Sequence, residues 1–245
     1  MRIAVLSDIH ANLHALRAVW EDIEQQKPDA VYCLGDLVGY GAYPNEVIAF
    51  LQERQVPTVL GNYDEGVGFD LSECGCAYTR PEDRLRGDQS LRWTQAKTGA
   101  EAKTYLQTLP LQIRLEDRSP KLLLVHGSPR KVNEYIFEDR PVATFERIAR
   151  LAGADVLLFG HTHLPYQKRV GATLFVNDGS VGKPKDGDPR ACYALLELGR
   201  RTRVEFRRVV YDVEGAVRAV ETSGLPPQFG EELRAGGSTP TQEGD

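Results

Sequence analysis

The chain is short of several things that would each announce a function. Four cysteines in 245 residues are too few for the disulfide framework of a secreted domain. No apolar run approaches the roughly 18–20 residues that a membrane helix needs. The opening MRIAVLSDIH is interrupted by an aspartate after a brief apolar stretch, so it reads as a strand and not as a signal peptide. A cytoplasmic protein without a membrane partner is the expectation. Positive charge is in deficit as well: 30 Lys and Arg against 35 Asp and Glu leave a net charge of −5, which argues against a broad nucleic-acid surface. Histidine is scarce, with five in the chain, and its placement becomes the informative feature.

What is present is a globular composition with alternating strand and helix patterns. RIAVLS (2–7), DAVYCLGD (29–36) and PTVLGN (57–62) read as strands, separated by helical patterns at 12–26 and 44–54. This β-α-β-α-β rhythm predicts an α/β fold with parallel strands and helices outside. The rhythm breaks over 66–108, where an irregular glycine-rich stretch precedes two helices, DQSLRWTQAK and the segment opened by a Thr98/Glu101 capping box. That insertion is a candidate lid or partner surface. Strands resume at 111–117, 121–128, 155–163, 171–180, 191–199 and 203–212, several alternating in period two as antiparallel edges do. Residues 1–224 read as one domain. Residues 225–245, rich in Pro, Gly and polar residues, read as a poorly ordered tail.

The carboxyl ends of the strands carry the chemistry. They deliver Asp8 and His10, Asp36, Asn62, His126, and His161 and His163, and in open α/β sheets ligands bind at those ends. Asp, Asn and His are oxygen and nitrogen donors for ions such as Mn, Fe, Zn or Ni. On an extended backbone the i, i+2 pairs Asp8/His10 and His161/His163 would each aim at one spot. Seven ligands exceed what one ion needs and suit two divalent ions about 3.5–4 Å apart that share a carboxylate. Four positive charges against two aspartates keep such a site cationic and able to attract a phosphate. Any one of these residues alone would be an ordinary turn former, cap or structural histidine. It is their conjunction that points to metal. His14 lies on a helix and is assigned no role. Cys74 and Cys76, in SECGCAYT, form the only close cysteine pair and carry a weak metal or redox suggestion.

In order, DIH (8–10), GD (35–36), GN (61–62), HG (126–127) and GHTH (160–163) resemble the five motifs of the calcineurin-like metallophosphoesterase superfamily, over residues 1 to about 212. The resemblance implies a four-layer α/β/β/α sandwich with two mixed sheets and a dinuclear centre at its edge. By motif, Asp8, His10, Asp36 and His163 would hold one ion, and Asn62, His126 and His161 the other, with Asp36 bridging. Mn is the first expectation for the metal, with Fe, Zn, Ni or Mg as alternatives. The implied reaction is phosphoester hydrolysis by in-line attack of a hydroxide bridging the ions. Asp36, Asn62 and His161 would take part directly.

Two departures from the family pattern stand out. NDGS (177–180) puts Asp178 where related chains carry proline, which implies a changed turn. GNYD puts Tyr63 where many members carry a histidine that protonates the leaving group. A small phosphodiesterase branch also lacks that histidine, so phosphodiesters are the favoured substrate, with Tyr63 as a candidate acid. Arg130, Arg190, Lys183 and Lys185 are candidate phosphate contacts. Three alternatives stay open: a protein serine/threonine phosphatase, a nucleotide or dinucleoside polyphosphate hydrolase stacking a base on Tyr40, Tyr43, Phe69 or Tyr78, and a noncatalytic interaction module.

Overall fold

The computed structural model describes residues 1–78, 80–116, 120–199 and 201–237. Alternation along the strands explains the layering. In β1 (Arg2–Leu6), Ile3 and Val5 face one side while Ala4 and Leu6 face the other, and all four are fully buried. β1 pairs in parallel with β2 (Ala30–Cys33) and antiparallel with β8 (Ala191–Glu197), which pairs antiparallel with β9 (Arg203–Val209). The second sheet has the order β3-β4-β5-β7-β6, from Gln112–Leu115, Leu122–Val125, Val156–Phe159, Thr173–Asn177 and Tyr166–Val170 respectively. β4, β5 and β7 run parallel, and β3 and β6 are antiparallel edges.

The sheets meet through Ile3 and Val5 on one side and Leu122, Leu124, Val156 and Leu158 on the other. Burying a side chain of that size is worth about 1.5–3 kcal/mol. Helix α6 (Val142–Ala152) covers the far face of the second sheet, where Phe145 and Ile148 pack on Leu157, Phe159 and Phe175. Opposite, α1 (Leu13–Gln26), α2 (Pro44–Glu53) and α7 (Val213–Ser223) cover the first sheet. The result is the expected α/β/β/α sandwich of two mixed sheets. No helix among the described residues is long and apolar enough to cross a membrane.

Several expectations need correction. The stretch 57–62 makes only an isolated bridge, Cys33 to Thr58, and Asn62 opens helix α3 (Asn62–Gly68). Asp64, whose carboxylate accepts from Gly61 N at 3.1 Å, stabilises that start. Helix α4 (Pro81–Lys97) begins at a proline well before residue 88, and the next, α5 (Ala100–Thr108), is preceded by Gly99. Thr98 does not cap α5; its hydroxyl donates back to Thr94 O at 2.7 Å and finishes α4. Helices α6 and α7 and strand β6 were absent from the sequence reading. The expected poorly ordered tail is, over Gln228–Ala235, a helix (α8). Phe229 and Leu233 lie one turn apart on it and are buried, Gly230 packs on Val217 of α7, and Arg234 pairs with Glu214. Residues 238–245 lie outside the described residues.

Candidate metal centre and its cleft

Asp8, His10, Asp36, Asn62, His126, His161 and His163 are all buried and come together. They form two groups. Asp8, His10 and His163 make one, with His163 Nε2 at 3.1 Å and His10 Nε2 at 3.6 Å from Asp8 Oδ1. Asp36, His126 and His161 make the other, with His126 Nε2 at 3.4 Å from Asp36 Oδ2 and 3.0 Å from Asn62 Oδ1. Asp36 Oδ2 also lies 3.7 Å from His10 Nε2, which places one carboxylate oxygen between the two groups.

The backbone that delivers these side chains is not extended. Asp8, His10, Asp36, His161 and His163 all have positive φ, between 48° and 66°. The i, i+2 pairs converge because both members of each are left-handed, each such residue costing about 1–2 kcal/mol. Loop-to-loop hydrogen bonds hold the strain, with Asp8 N donating to Gly35 O and His10 N to Asp36 O, both at 3.0 Å. Two glycines admit the close approach this requires. A Cβ on Gly61 would sit 2.2 Å from Asp36 N, and one on Gly160 would sit 2.5 Å from Asp8 Oδ2.

The polar atoms of the two carboxylates are divided between partners in the surrounding chain and the histidine rings of the site. Asp8 Oδ2 accepts from Ser7 Oγ (2.6 Å) and His161 N (3.0 Å), and Asp36 Oδ1 accepts from Tyr63 N (2.8 Å). Their other oxygens face the histidines. His10 Nδ1 is bonded to Val38 O, His126 Nδ1 to Leu34 O and His163 Nδ1 to Lys183 O. Each of these rings therefore turns Nε2 into the site, as metal-ligating histidines do. Asp8 Oδ1 and His161 Nε2 are buried without a hydrogen-bond partner. Such atoms are costly unless an ion completes them, and nitrogen and oxygen donors fit Mn, Fe, Zn or Ni.

Burial opposes ionisation of both carboxyls, yet His163 beside Asp8 and His126 beside Asp36 hold them below the ordinary carboxylate range. Burial likewise opposes charge on His126, but the Asp36 carboxylate wins and pushes it up to about 10. Burial and the His126 charge push His161 down to about 3, and burial and Lys185 do the same to His163.

Of the other expected site residues, Tyr63 lies beside the ligands, with its N–H on Asp36 Oδ1 and its ring 5.9 Å from that of His10, but its hydroxyl is engaged elsewhere. That hydroxyl donates to Ser90 Oγ of α4 at 2.9 Å, so the expected acid packs against the insertion. Arg130 is bound to Glu134 and lines a separate cavity that includes His126, and Arg190 is bound to Asp188; neither lines the cleft next to Tyr135 and Tyr40, whose rings pack on His161 and His10. That cleft, of about 210 Å³, is lined by Tyr40, Tyr78, Tyr135 and Phe229 together with Lys183 and Lys185. Tyr43 instead packs near His14, and Phe69 is half exposed on α3's far end.

One contributor, Tyr135, has no place among the sequence expectations, and two others, the Cys74/Cys76 pair and Asp178, play parts different from those expected. The ring of Tyr135 lies 3.9 Å from that of His161, on the loop that follows His126. Cys74 O and Cys76 Sγ accept from Asn62 Nδ2 at 2.9 and 3.3 Å, which turns Asn62 Oδ1 toward the site. The CxC pair therefore orients a ligand. Asp178 is more than a changed turn: it shares Ser7 Oγ with Asp8 at 2.8 Å, and burial and the Asp8 charge push its carboxyl well above the ordinary range. A polar residue ending an otherwise apolar strand was the available signal for it.

Comparison with known proteins agrees with this geometry. Residues 1–201 match the calcineurin-like phosphoesterase superfamily domain. An uncharacterized protein of Methanocaldococcus jannaschii is 32% identical, covering 96% of this chain and 98% of its own length. Phosphodiesterase YfcE of Escherichia coli is 28% identical over 80% of this chain and 88% of that protein. The crystal structure of a metallophosphoesterase from Sphaerobacter thermophilus superposes with a TM-score of 0.78 at 32% identity, covering 96% of this chain and 99% of that one. The chain belongs to the calcineurin-like phosphoesterase superfamily.

Proposed function

We propose that the protein hydrolyses phosphoesters, phosphodiesters in preference, with two divalent ions in the paired ligand groups. The observation that carries this is the pair of buried groups with a carboxylate oxygen of Asp36 between them. Asp8, His10 and His163 would hold one ion, Asn62, His126 and His161 the other, and Asp36 both, with Mn the expected metal. Two such ions supply neutralisation of phosphoryl oxygens and a water acidified toward neutrality.

The chain's own residues do the rest. The Nδ1 hydrogen bonds of His10, His126 and His163 fix ring orientation, and Ser7 and the His161 amide fix Asp8. His161 Nε2, unpartnered and neutral, is free to accept or ligate. Tyr135 shields that ring from solvent, and Lys185 at the cleft supplies positive charge for a phosphate. The phosphodiesterase activity in the name of the E. coli relative supports the diester preference. The walls formed by α4 and α8 leave a cleft suited to small substrates more than to a phosphoprotein.

The test combines metal analysis with turnover of an aryl phosphodiester and of the matching monoester. Two ions per chain, loss of activity on chelation and recovery with Mn²⁺ are expected. Asp36→Ala should be the most damaging ligand change, lowering activity by at least about 100-fold. A strictly mononuclear active protein would overturn the assignment.

A further inference from the structure

The cations of the cleft are not equally available to a ligand. Its lining carries Arg86, Lys183 and Lys185 against two carboxylates, Asp83 and Glu232. Arg86 is held by Asp83 within α4, and Lys183 Nζ is held by Glu232 of α8. The second pair is closely confined, with side-chain exposures of 10% and 15%. The ammonium also stands over Tyr40, 4.8 Å from its ring centroid, and over Phe229 at 5.5 Å, while those two rings pack edge to face at 5.1 Å. The carbonyl of Lys183 accepts from His163 Nδ1, so this ion pair begins next to the metal ligands. Lys185 makes no carboxylate contact among the described residues. Among the described residues the cleft thus keeps one cation, Lys185, that no carboxylate holds at ion-pair distance, though Glu232 and Asp8 act on it from further away.

We propose that Glu232 sets the charge selectivity of the site, by neutralising Lys183 and leaving the cleft matched to a monoanionic phosphodiester and not to a dianionic phosphomonoester. The proposal rests on the phosphoester-hydrolysis reading above. A diester carries one negative charge at its phosphate, and a monoester above neutral pH carries two. Beyond the charge that two ions would supply at the phosphate, a second free cation on the protein side of the cleft would favour the dianion, and the structure has spent that cation on α8. A fixed carboxylate inside the cleft also repels the dianion, which is discrimination by repulsion as well as by fit. Helix α8 lies beyond residues 1–201, the part that matches the superfamily domain, so the device stands outside the segment that carries the metal ligands.

The test is Glu232→Gln, which keeps shape and removes charge, with Glu232→Asp as the charge-retaining control. The metal-loaded proteins are assayed at pH 8 on an aryl phosphodiester and on the monoester with the same leaving group. Inorganic phosphate, a dianion at that pH, is titrated into each by calorimetry. In Glu232→Gln the monoester-to-diester ratio of kcat/KM should rise about tenfold and phosphate should bind several-fold tighter, as expected when a charge pair at short range is released to a ligand. Glu232→Asp should keep the wild-type ratio. If Glu232 only pins α8, both substrates will fall together, Tm will drop and the ratio will not move, which overturns the proposal. An equal shift in the Asp and Gln variants overturns it too. Failure of the wild-type protein to hydrolyse either ester would instead defeat the phosphoester reading, and the phosphate titration would still decide whether Glu232 governs anion charge.

Discussion

Tyr63→Phe separates the two roles that a tyrosine beside a metal centre could have. The phenol is fully buried, its hydroxyl 2.9 Å from Ser90 Oγ and 3.3 Å from Gly87 O. Its ring packs 4.7 Å from that of Tyr40 and 5.9 Å from that of His10. Phenylalanine keeps all the ring contacts and removes one buried hydrogen bond, worth about 1 kcal/mol net. Ser90 Oγ retains the backbone N–H of Tyr40 at 2.9 Å, so the group left behind is not orphaned. Stability should therefore fall by about 1–1.5 kcal/mol, or about 2–6 °C in Tm for a chain of this size. Burial also pushes the phenol well above the ordinary tyrosine range, which makes it a still poorer proton donor. The expected kinetic result is a change of less than about threefold, equal for a nitrophenyl and an alkyl leaving group. A general acid would behave otherwise, since losing one costs about 10²–10⁴-fold and mostly on the poor leaving group. Thermal denaturation and paired kcat/KM measurements on the two esters are the assay. A loss confined to the alkyl ester would refute the assignment of the phenol to Ser90.

Metal uptake should be linked to protons. His126 sits at about 10 before an ion binds, so it is protonated at pH 8 and must lose that proton to become a ligand. Calorimetry in two buffers should find about one proton released, and affinity should rise about tenfold per pH unit between pH 7 and 9; pH-independent binding would contradict this. Away from the site, Asp22 joins α1 to the first sheet, accepting from Arg207 at 2.8 Å and from the Tyr193 hydroxyl at 2.6 Å. Its side chain is 17% exposed, and Asp22→Ala should cost about 2–3 kcal/mol. The Arg207 hydrogen bonds, against burial, hold the carboxyl below its ordinary value, so this stability is full above pH 4 and is lost as pH falls through the folded value. Urea unfolding should show wild type and variant converging at low pH, and a constant difference down to pH 2 would refute the linkage.

The ligands were legible because each is a polar residue placed just past a short apolar run, a pattern that survives without coordinates. What the pattern could not carry is backbone handedness. Spacing of two residues suggested extended segments at 8–10 and 161–163, whereas the side chains converge through left-handed residues that loop-to-loop hydrogen bonds hold in place. The glycines at 61 and 160 were visible as sharp-turn signals, and the close approaches to Asp36 and Asp8 give that signal its cause. Tyr63 was misread for a related reason. A residue following a ligand in sequence need not face the ligand's ion, and once Asn62 opens a helix the next side chain turns under α4.

The walls of the cleft were the least legible part, and their composition explains it. The segment 225–237 looks like a tail because its helix has few apolar residues and little propensity of its own, and Phe229 and Leu233 acquire a partner surface only after α7 and the loop at 179–190 have folded. The insertion has the same character: α4 is polar along most of its length and is fixed by Ser90, Thr94 and Leu91 against the body of the fold. Patterns at strand ends therefore report what the site can do, since the ions demand particular donors. Which substrate it accepts is written in tertiary contacts such as Lys183 to Glu232 and Phe229 to Tyr40, made between segments that no local periodicity connects. Two chains of this superfamily can share every ligand and differ in selectivity through a helix that reads, in sequence, as an appendage.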